Sequence, residues 1–243
     1  TENYSCETCH NLYWNLSGTN SSYTSQKGVI NPPSVLNSAL NFLFFTDGRV
    51  RSLKDQVKES ITSRIELNSD NDKIVDSVNN ISEYKILFKK IYNDGINFDN
   101  IADAIAEFEK AVLSVDSPFD RFISGDNNAI DDSAKKGFEI FNNIGCAACH
   151  NGRNLGGNLT QDIGRERISA LDTSKRLRRV PSLRNITKTA PYLSHGEIND
   201  LKEAISFIGN YQLGHELSKD EIDALYSFFL TLNGKKPRIL NEY

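Results

Sequence analysis

Methionine is absent from this 243-residue chain, which has only four cysteines, four histidines and a net charge of −4. Without methionine, no thioether is available to a metal ion. The small excess of acid argues against a nucleic-acid binder, and neither standard glycine-rich phosphate loop occurs, so nucleotide chemistry has no support. Long apolar runs are also missing. Leu40 to Phe45 and Phe228 to Leu232 are typical, far below the ~20 residues of a membrane-spanning helix. No basic, apolar, cleavable leader precedes Thr1, so the chain reads as a mature or trimmed product. The length supports one large or two modest domains, each able to bury a core.

The cysteines that are present have a pattern. All four lie in C-x-x-C-H pentapeptides, within YSCETCH (Tyr4 to His10) and CAACH (Cys146 to His150), and each motif is closed by a histidine. A zinc site would bring its two C-x-x-C pairs within roughly 15–20 residues of each other, whereas here most of the chain separates them. A thioredoxin-like motif belongs in a βαβ setting and would leave the second copy and the histidines unexplained. Cysteines three apart on a helical turn have poor geometry for a disulfide. Two such thiols can, however, add across the two vinyl groups of one haem while the adjacent histidine reaches the iron from below. This is the c-type haem attachment signal. It assigns Cys6, Cys9 and His10 to one covalent haem c, and Cys146, Cys149 and His150 to a second. In bacteria such attachment is generally completed outside the cytoplasmic membrane, so the motif implies a periplasmic or otherwise exported protein.

The rest reads as helices joined by long loops. Asp99 to Val115 places Ile101, Ile105, Phe108 and Val112 on one face before Ser117 and Pro118, an amphipathic helix. Ser218 and Glu221 form a capping box ahead of Ile222, Leu225, Phe229 and Leu232. A further helix starts at Ser133 and runs through Phe138 and Phe141 directly into CAACH. Asn11 to Pro33 and Gly152 to Leu183 show no period and read as loops that wrap a site. The polar stretch SGDNNAIDDS (Ser124 to Ser133) is a natural boundary. The expected fold is therefore mostly α, with two cytochrome c-like haem domains, residues 1–130 and 131–243, long loops and little sheet. Between Gly164 and Lys188 lie Arg165, Arg167, Lys175, Arg176, Arg178, Arg179, Arg184 and Lys188. They read either as a solvated loop or as partners of haem propionates at the domain junction.

QKGVINPPSVLNSALNF, TDGRVRSLKDQ, DSPFDRFISGD, GCAACHNGRNLGG, RVPSLRNITKTAPYLSHGE and GNYQLGHELSKDEIDAL resemble, in order and spacing, the bacterial dihaem cytochrome c peroxidases. The resemblance covers nearly the whole chain, and the methylamine-utilisation dihaem enzymes form the wider superfamily. It implies that the first haem reduces hydrogen peroxide and that the second receives electrons from a small donor protein, a cytochrome c or a cupredoxin. A calcium ion between the domains and a homodimer are also implied. The family's catalytic glutamate falls on Glu66, and the glutamine and phenylalanine of its pocket fall on Gln56 and Phe45. Its calcium ligands fall on the side chain of Asn31 and the carbonyls of Thr189 and Pro191. A carboxylate above an open iron can move a proton from the near to the departing peroxide oxygen.

Three positions depart from the family pattern. Its methionine ligand to the second haem is Ile208 here, its distal histidine at the first haem is Tyr23, and its inter-haem tryptophan is Thr46. An alkyl side chain cannot bind iron, so the second haem is expected at a lower reduction potential than the family norm. Tyr23 is a candidate distal ligand as a phenolate, a hydrogen-bond donor to peroxide, or a core residue. Water or an empty position at the second iron ranks above Tyr211, His195 and His215. Retained Glu66 and Gln56 favour a peroxidase. The three departures favour a dihaem electron-transfer protein or a protein-oxidising dihaem enzyme.

Overall fold

The computed structural model describes residues 5–12, 31–64, 66–162, 177–194 and 196–241. The first half contributes α1 (Cys6–Cys9), α2 (Leu53–Thr62), α3 (Asn71–Asn79), α4 (Ser82–Ile91), α5 (Phe98–Ala111) and α6 (Pro118–Ile123). The second contributes α7 (Asp132–Asn143), α8 (Cys146–Cys149), β1 (Thr160–Asp162), β2 (Leu177–Arg179), α9 (Leu201–Leu213) and α10 (Lys219–Leu230). Helix starts follow local chemistry. The side chains of Ser52, Asp70, Asn97, Ser117, Asp131, Asp200 and Ser218 each accept the backbone N–H three residues on, which satisfies an otherwise unpaired donor.

In the second half, α7 crosses α10 so closely that a Cβ on Gly137 would lie 2.0 Å from the Ala224 carbonyl oxygen. Glycine is what permits the crossing. Phe228, fully buried, sits among Phe119, Phe138 and Phe141 at centroid distances of 5.1, 5.3 and 5.2 Å. In the first half, Val57 and Ile61 of α2 pack on Ala102 of α5. The halves also exchange side chains. Phe119 of α6 belongs to the core of the second half, while Leu240 and Ile239 return to pack with Leu36 and Val112 of the first.

Three helical expectations need correction. The α5 helix ends at Ala111, not Val115, because Val112 turns out of helical geometry and its carbonyl accepts the N–H of Asn37, while Ser114 N–H donates to Asn37 Oδ1. Phe108 is exposed rather than inward, and the small residues Ala102 and Ala106 hold the buried face where α2 approaches. The helix before CAACH does not run into it. It stops at Asn143, and Gly145 at φ 102° redirects the chain before α8, a conformation that suits glycine. The Ser218–Glu221 capping box and α10 stand as expected.

The loop after the second motif contains a short antiparallel pair, β1 and β2, with Thr160 opposite Arg179 and Asp162 opposite Leu177. Strands of three residues are too short to show a period. This ribbon docks on the first half: Phe42 and Leu43 N–H donate to the Gly157 carbonyl (2.9 and 3.0 Å), and Arg179 N–H donates to the Thr46 carbonyl (2.7 Å). Among the described residues, no helix is long and apolar enough to cross a membrane.

Candidate functional site

Both C-x-x-C-H motifs form a single helical turn closed by the histidine N–H on the carbonyl of the first cysteine, at 2.8 Å for His10 and 2.9 Å for His150. None of the four cysteines is paired in a disulfide. Burial raises the thiols of Cys6 and Cys9 and pushes that of Cys146 up to about 11. His10 Nδ1 lies 2.9 Å from the Pro33 carbonyl and His150 Nδ1 lies 3.2 Å from the Leu155 carbonyl, and the Pro181 backbone also acts on the His150 ring. A carbonyl only accepts, so Nδ1 carries the proton and Nε2 keeps its lone pair for a metal. Burial lowers both imidazoles, which keeps them neutral, as a ligand must be. Paired thiols and an oriented, neutral imidazole in each motif fit a covalently held haem.

The acceptor loops reveal a repeat that the sequence reading missed. Pro33-Ser-Val-Leu-Asn37 and Pro181-Ser-Leu-Arg-Asn185 both read P-S-x-x-N. Both asparagines are left-handed, at φ 61° and 59°, and each starts a short 3₁₀ turn. Reading the two halves against each other at this motif would have found it.

Glu66 sits in the turn after α2, its N–H on the Ser63 carbonyl at 3.1 Å. The residue is exposed, yet its carboxyl is raised by desolvation, with the neighbouring Glu59 adding to the rise and Ser60, Arg49 and Ser63 opposing it. Its charge also raises the Cys9 thiol, after desolvation, an electrostatic link between Glu66 and the first motif. Gln56 Nε2 donates to the same Ser60 hydroxyl at 2.8 Å. Phe45, at φ 62°, lies under the Arg49 guanidinium at 3.7 Å, and Arg49 pairs with Asp47 (2.9 Å) and Glu59 (2.6 Å). Arg49 and Ser60 thus link Phe45, Gln56 and Glu66.

Asn31 meets the loop 160 residues away: its Nδ2 is 2.6 Å from the Pro191 carbonyl and 3.2 Å from that of Leu193. Thr189 directs its N–H and hydroxyl to the Ile186 carbonyl. Tyr23 and His195 lie outside the described residues, as do Arg165, Arg167, Lys175 and Arg176. Ile208 is half-buried on α9. Tyr211 is exposed and stacks on Phe207 at 4.4 Å, and exposed His215 lies 3.5 Å from Glu221. Two arginines of the basic segment are not simply solvated. Arg184, 10% exposed, forms a two-pronged pair with Asp120 at 2.8 and 3.0 Å. Burial lowers Arg179, and its Nε donates to the Phe45 carbonyl at 3.0 Å.

Glu109 of α5 was not singled out by the sequence. Burial pushes its carboxyl up to about 7 despite the Ser38 hydroxyl at 3.1 Å, and it raises the Cys6 thiol, second to desolvation. A raised folded-state carboxyl favours the fold below its ordinary value near 4.5 and loses that contribution as pH rises through about 7. Glu109→Gln should therefore melt near wild type at pH 5 and above it at pH 8, by on the order of 2 kcal/mol after allowance for partial exposure. Equal differences at the two pH values would contradict this.

The family model of di-haem cytochrome c peroxidase matches residues 1–128, and that of cytochrome c matches residues 134–233. The chain is 35% identical to the cytochrome c551 peroxidase of Pseudomonas aeruginosa over 97% of its own length and 74% of that protein. It is 36% identical to the cytochrome c peroxidase Ccp of Escherichia coli, over 95% of this chain and 54% of that one. The methylamine utilization protein MauG of Methylophilus methylotrophus is 32% identical over 88% of this chain and 69% of that one. Among solved structures, a MauG-like protein associated with microbial copper homeostasis superposes with a TM-score of 0.76 at 20% identity, covering 96% of this chain and 84% of the other. The diheme peroxidase BthA from Burkholderia thailandensis gives 0.72 at 15% identity, covering 96% and 82%. At these identities the structural matches speak to the fold alone.

Proposed function

This chain belongs to the di-haem cytochrome c peroxidase family, and from that premise we propose how its residues divide the work of a peroxidase carrying two covalent haem c groups. Cys6, Cys9 and His10 hold the haem at which hydrogen peroxide is reduced. Cys146, Cys149 and His150 hold the haem that receives electrons from a small redox protein, a cytochrome c or a cupredoxin. Domains 1–130 and 131–243 carry one haem each, with Phe119 and Leu240 as reciprocal straps. The address is periplasmic or otherwise exported, and a homodimer is the expected assembly.

When bound, haem supplies an iron that holds peroxide and delivers electrons to it. Overall, one peroxide takes two electrons and two protons and leaves as two waters. Glu66 takes the proton from the near oxygen and returns it to the far one, so that water departs instead of hydroxide. Gln56 and Phe45 shape the pocket, with Gln56 held by Ser60 and Phe45 held by Arg49. The observation that carries this reading is Glu66 itself: a carboxyl raised by desolvation and opposed by Ser60, the residue that holds Gln56, with its charge felt at Cys9 of the first haem motif. Holoprotein mixed with reduced small c-type cytochrome and peroxide should oxidise two donors per peroxide, and alkaline pyridine should report two covalent haems per chain. Two intact haems without peroxide-dependent donor oxidation would favour the electron-carrier reading, which Thr46 and Ile208 suggest.

Calcium is assigned to Asn31, Thr189 and Pro191. The approach of the Asn31 amide to the Pro191 carbonyl supports it, since neutral oxygens and water suit this hard cation. With calcium bound, the amide oxygen in place of the nitrogen would face that point. Chelation should lower turnover and added calcium restore it, whereas Asn31→Ala should not be restored. Turnover indifferent to a chelator would remove calcium from the account.

A further inference from the structure

The two histidine-acceptor loops are joined by one buried side chain that the peroxidase reading leaves unused. Asn154, 1% exposed, immediately precedes Leu155, whose carbonyl accepts His150 Nδ1–H. Its own carbonyl and Oδ1 both accept the Ser182 hydroxyl, at 2.7 and 2.9 Å. Ser182 in turn follows Pro181, whose backbone also acts on the His150 ring. Asn154 is therefore fixed between the His150 acceptor Leu155 and Ser182. In the opposite direction, its Nδ2 crosses to the first half and donates to the Asn37 carbonyl at 3.3 Å and to Asn41 Oδ1 at 2.6 Å. Asn37, also 1% exposed, closes the tight turn that begins at Pro33, the acceptor for His10 Nδ1–H. The turn is held by Ser38 N–H on the Val35 carbonyl and Leu36 N–H on Ser34 Oγ.

We propose that Asn154 is a positioning residue that couples the two haem centres through their proximal histidines, by fixing the carbonyls that accept both Nδ1–H groups. This rests on the reading that His10 and His150 are the iron ligands. The acceptor on a ligating imidazole sets its basicity: the stronger the Nδ1–H bond, the more electron-rich the ring and the better the ferric state is stabilised. The link runs through buried protein, where hydrogen bonds polarise one another and water does not screen them. At the junction of the halves, the Thr46 backbone carbonyl accepts the Arg179 N–H. The Asn154 contact adds a connection on the proximal side of both histidines.

The test is a redox titration of the holoprotein, with each haem followed separately by visible and EPR spectra. In Asn154→Ala both midpoint potentials should rise, and the dependence of one haem's potential on the redox state of the other should shrink. Asn41→Ala, which removes a partner of the same amide but no part of either acceptor loop, should leave the first haem's potential in place. A rise confined to the second haem, or no rise at either, would overturn the coupling. If the alanine variant does not accumulate, Asn154→Leu fills the same space without the amide. Ser182→Ala, which keeps the amide but frees its orientation, should show the same double shift in weaker form. A protein with fewer than two c-type spectra would instead count against the ligand reading and is recognised before any potential is measured.

Discussion

Replacing Glu66 with glutamine should lower peroxide turnover by about 10² to 10⁴, the usual contribution of a positioned acid–base group, while both haem spectra stay near wild type. Glutamine keeps the shape and can still bond to Ser60, but it cannot take a proton from one oxygen and return it to the other. The pH profile gives a second readout. Desolvation first, then Glu59, raises the Glu66 carboxyl above its ordinary value, against the pull of Ser60 and Arg49. Taking the proton from peroxide requires the carboxylate, so the wild-type rate should fall on the acid side at a pH above the ordinary carboxylate range. That limb should be absent from the residual rate of Glu66→Gln. Unchanged turnover would shift the assignment to an electron carrier.

What the sequence made legible was whatever is written in local chemistry. The two C-x-x-C-H turns and the Ser218–Glu221 cap depend on residues a few positions apart. Features set by contacts between the halves were not legible. The end of α5 is decided by Asn37, more than seventy residues earlier, capturing groups at Val112 and Ser114. Phe108 fits the apolar period as well as Ala106 does, yet α2 packs on the smaller side chain. Glu109 looks like any surface glutamate on a helix, and only the position of Ser38 and Cys6 shows it to be shielded. The roles proposed for Glu66, Gln56 and Phe45 rest on the family resemblance, not on spacing. Their connection through Ser60 and Arg49 needed coordinates.

Substituting methionine for Ile208 should raise the potential of the second haem by on the order of 100 mV, a fraction of the roughly 0.8 V that axial ligation spans. A thioether favours ferrous iron, and this chain has no methionine to supply one. The placement is testable because α9 is fixed relative to the second motif. Leu201, Ala204, Ile205 and Gly209 form its buried face, and Leu213 near its end lies 3.9 Å from where a Cβ on Gly145 would be, next to Cys146. Ile208 sits on the same helix, half-buried beside Gly209. Isoleucine and methionine are close in volume, so the exchange should cost less than about 1.5 kcal/mol, leaving the spectrum to report ligation, not unfolding. The oxidised variant should gain a thioether-to-iron absorption at the second haem only. In the parent protein, oxidised and without reductant, the second iron should take up cyanide, and Ile208→Met should suppress that uptake. If methionine at this position leaves spectrum, potential and cyanide binding unchanged, α9 does not present residue 208 to the iron. The second haem's sixth ligand would then have to come from elsewhere in the chain.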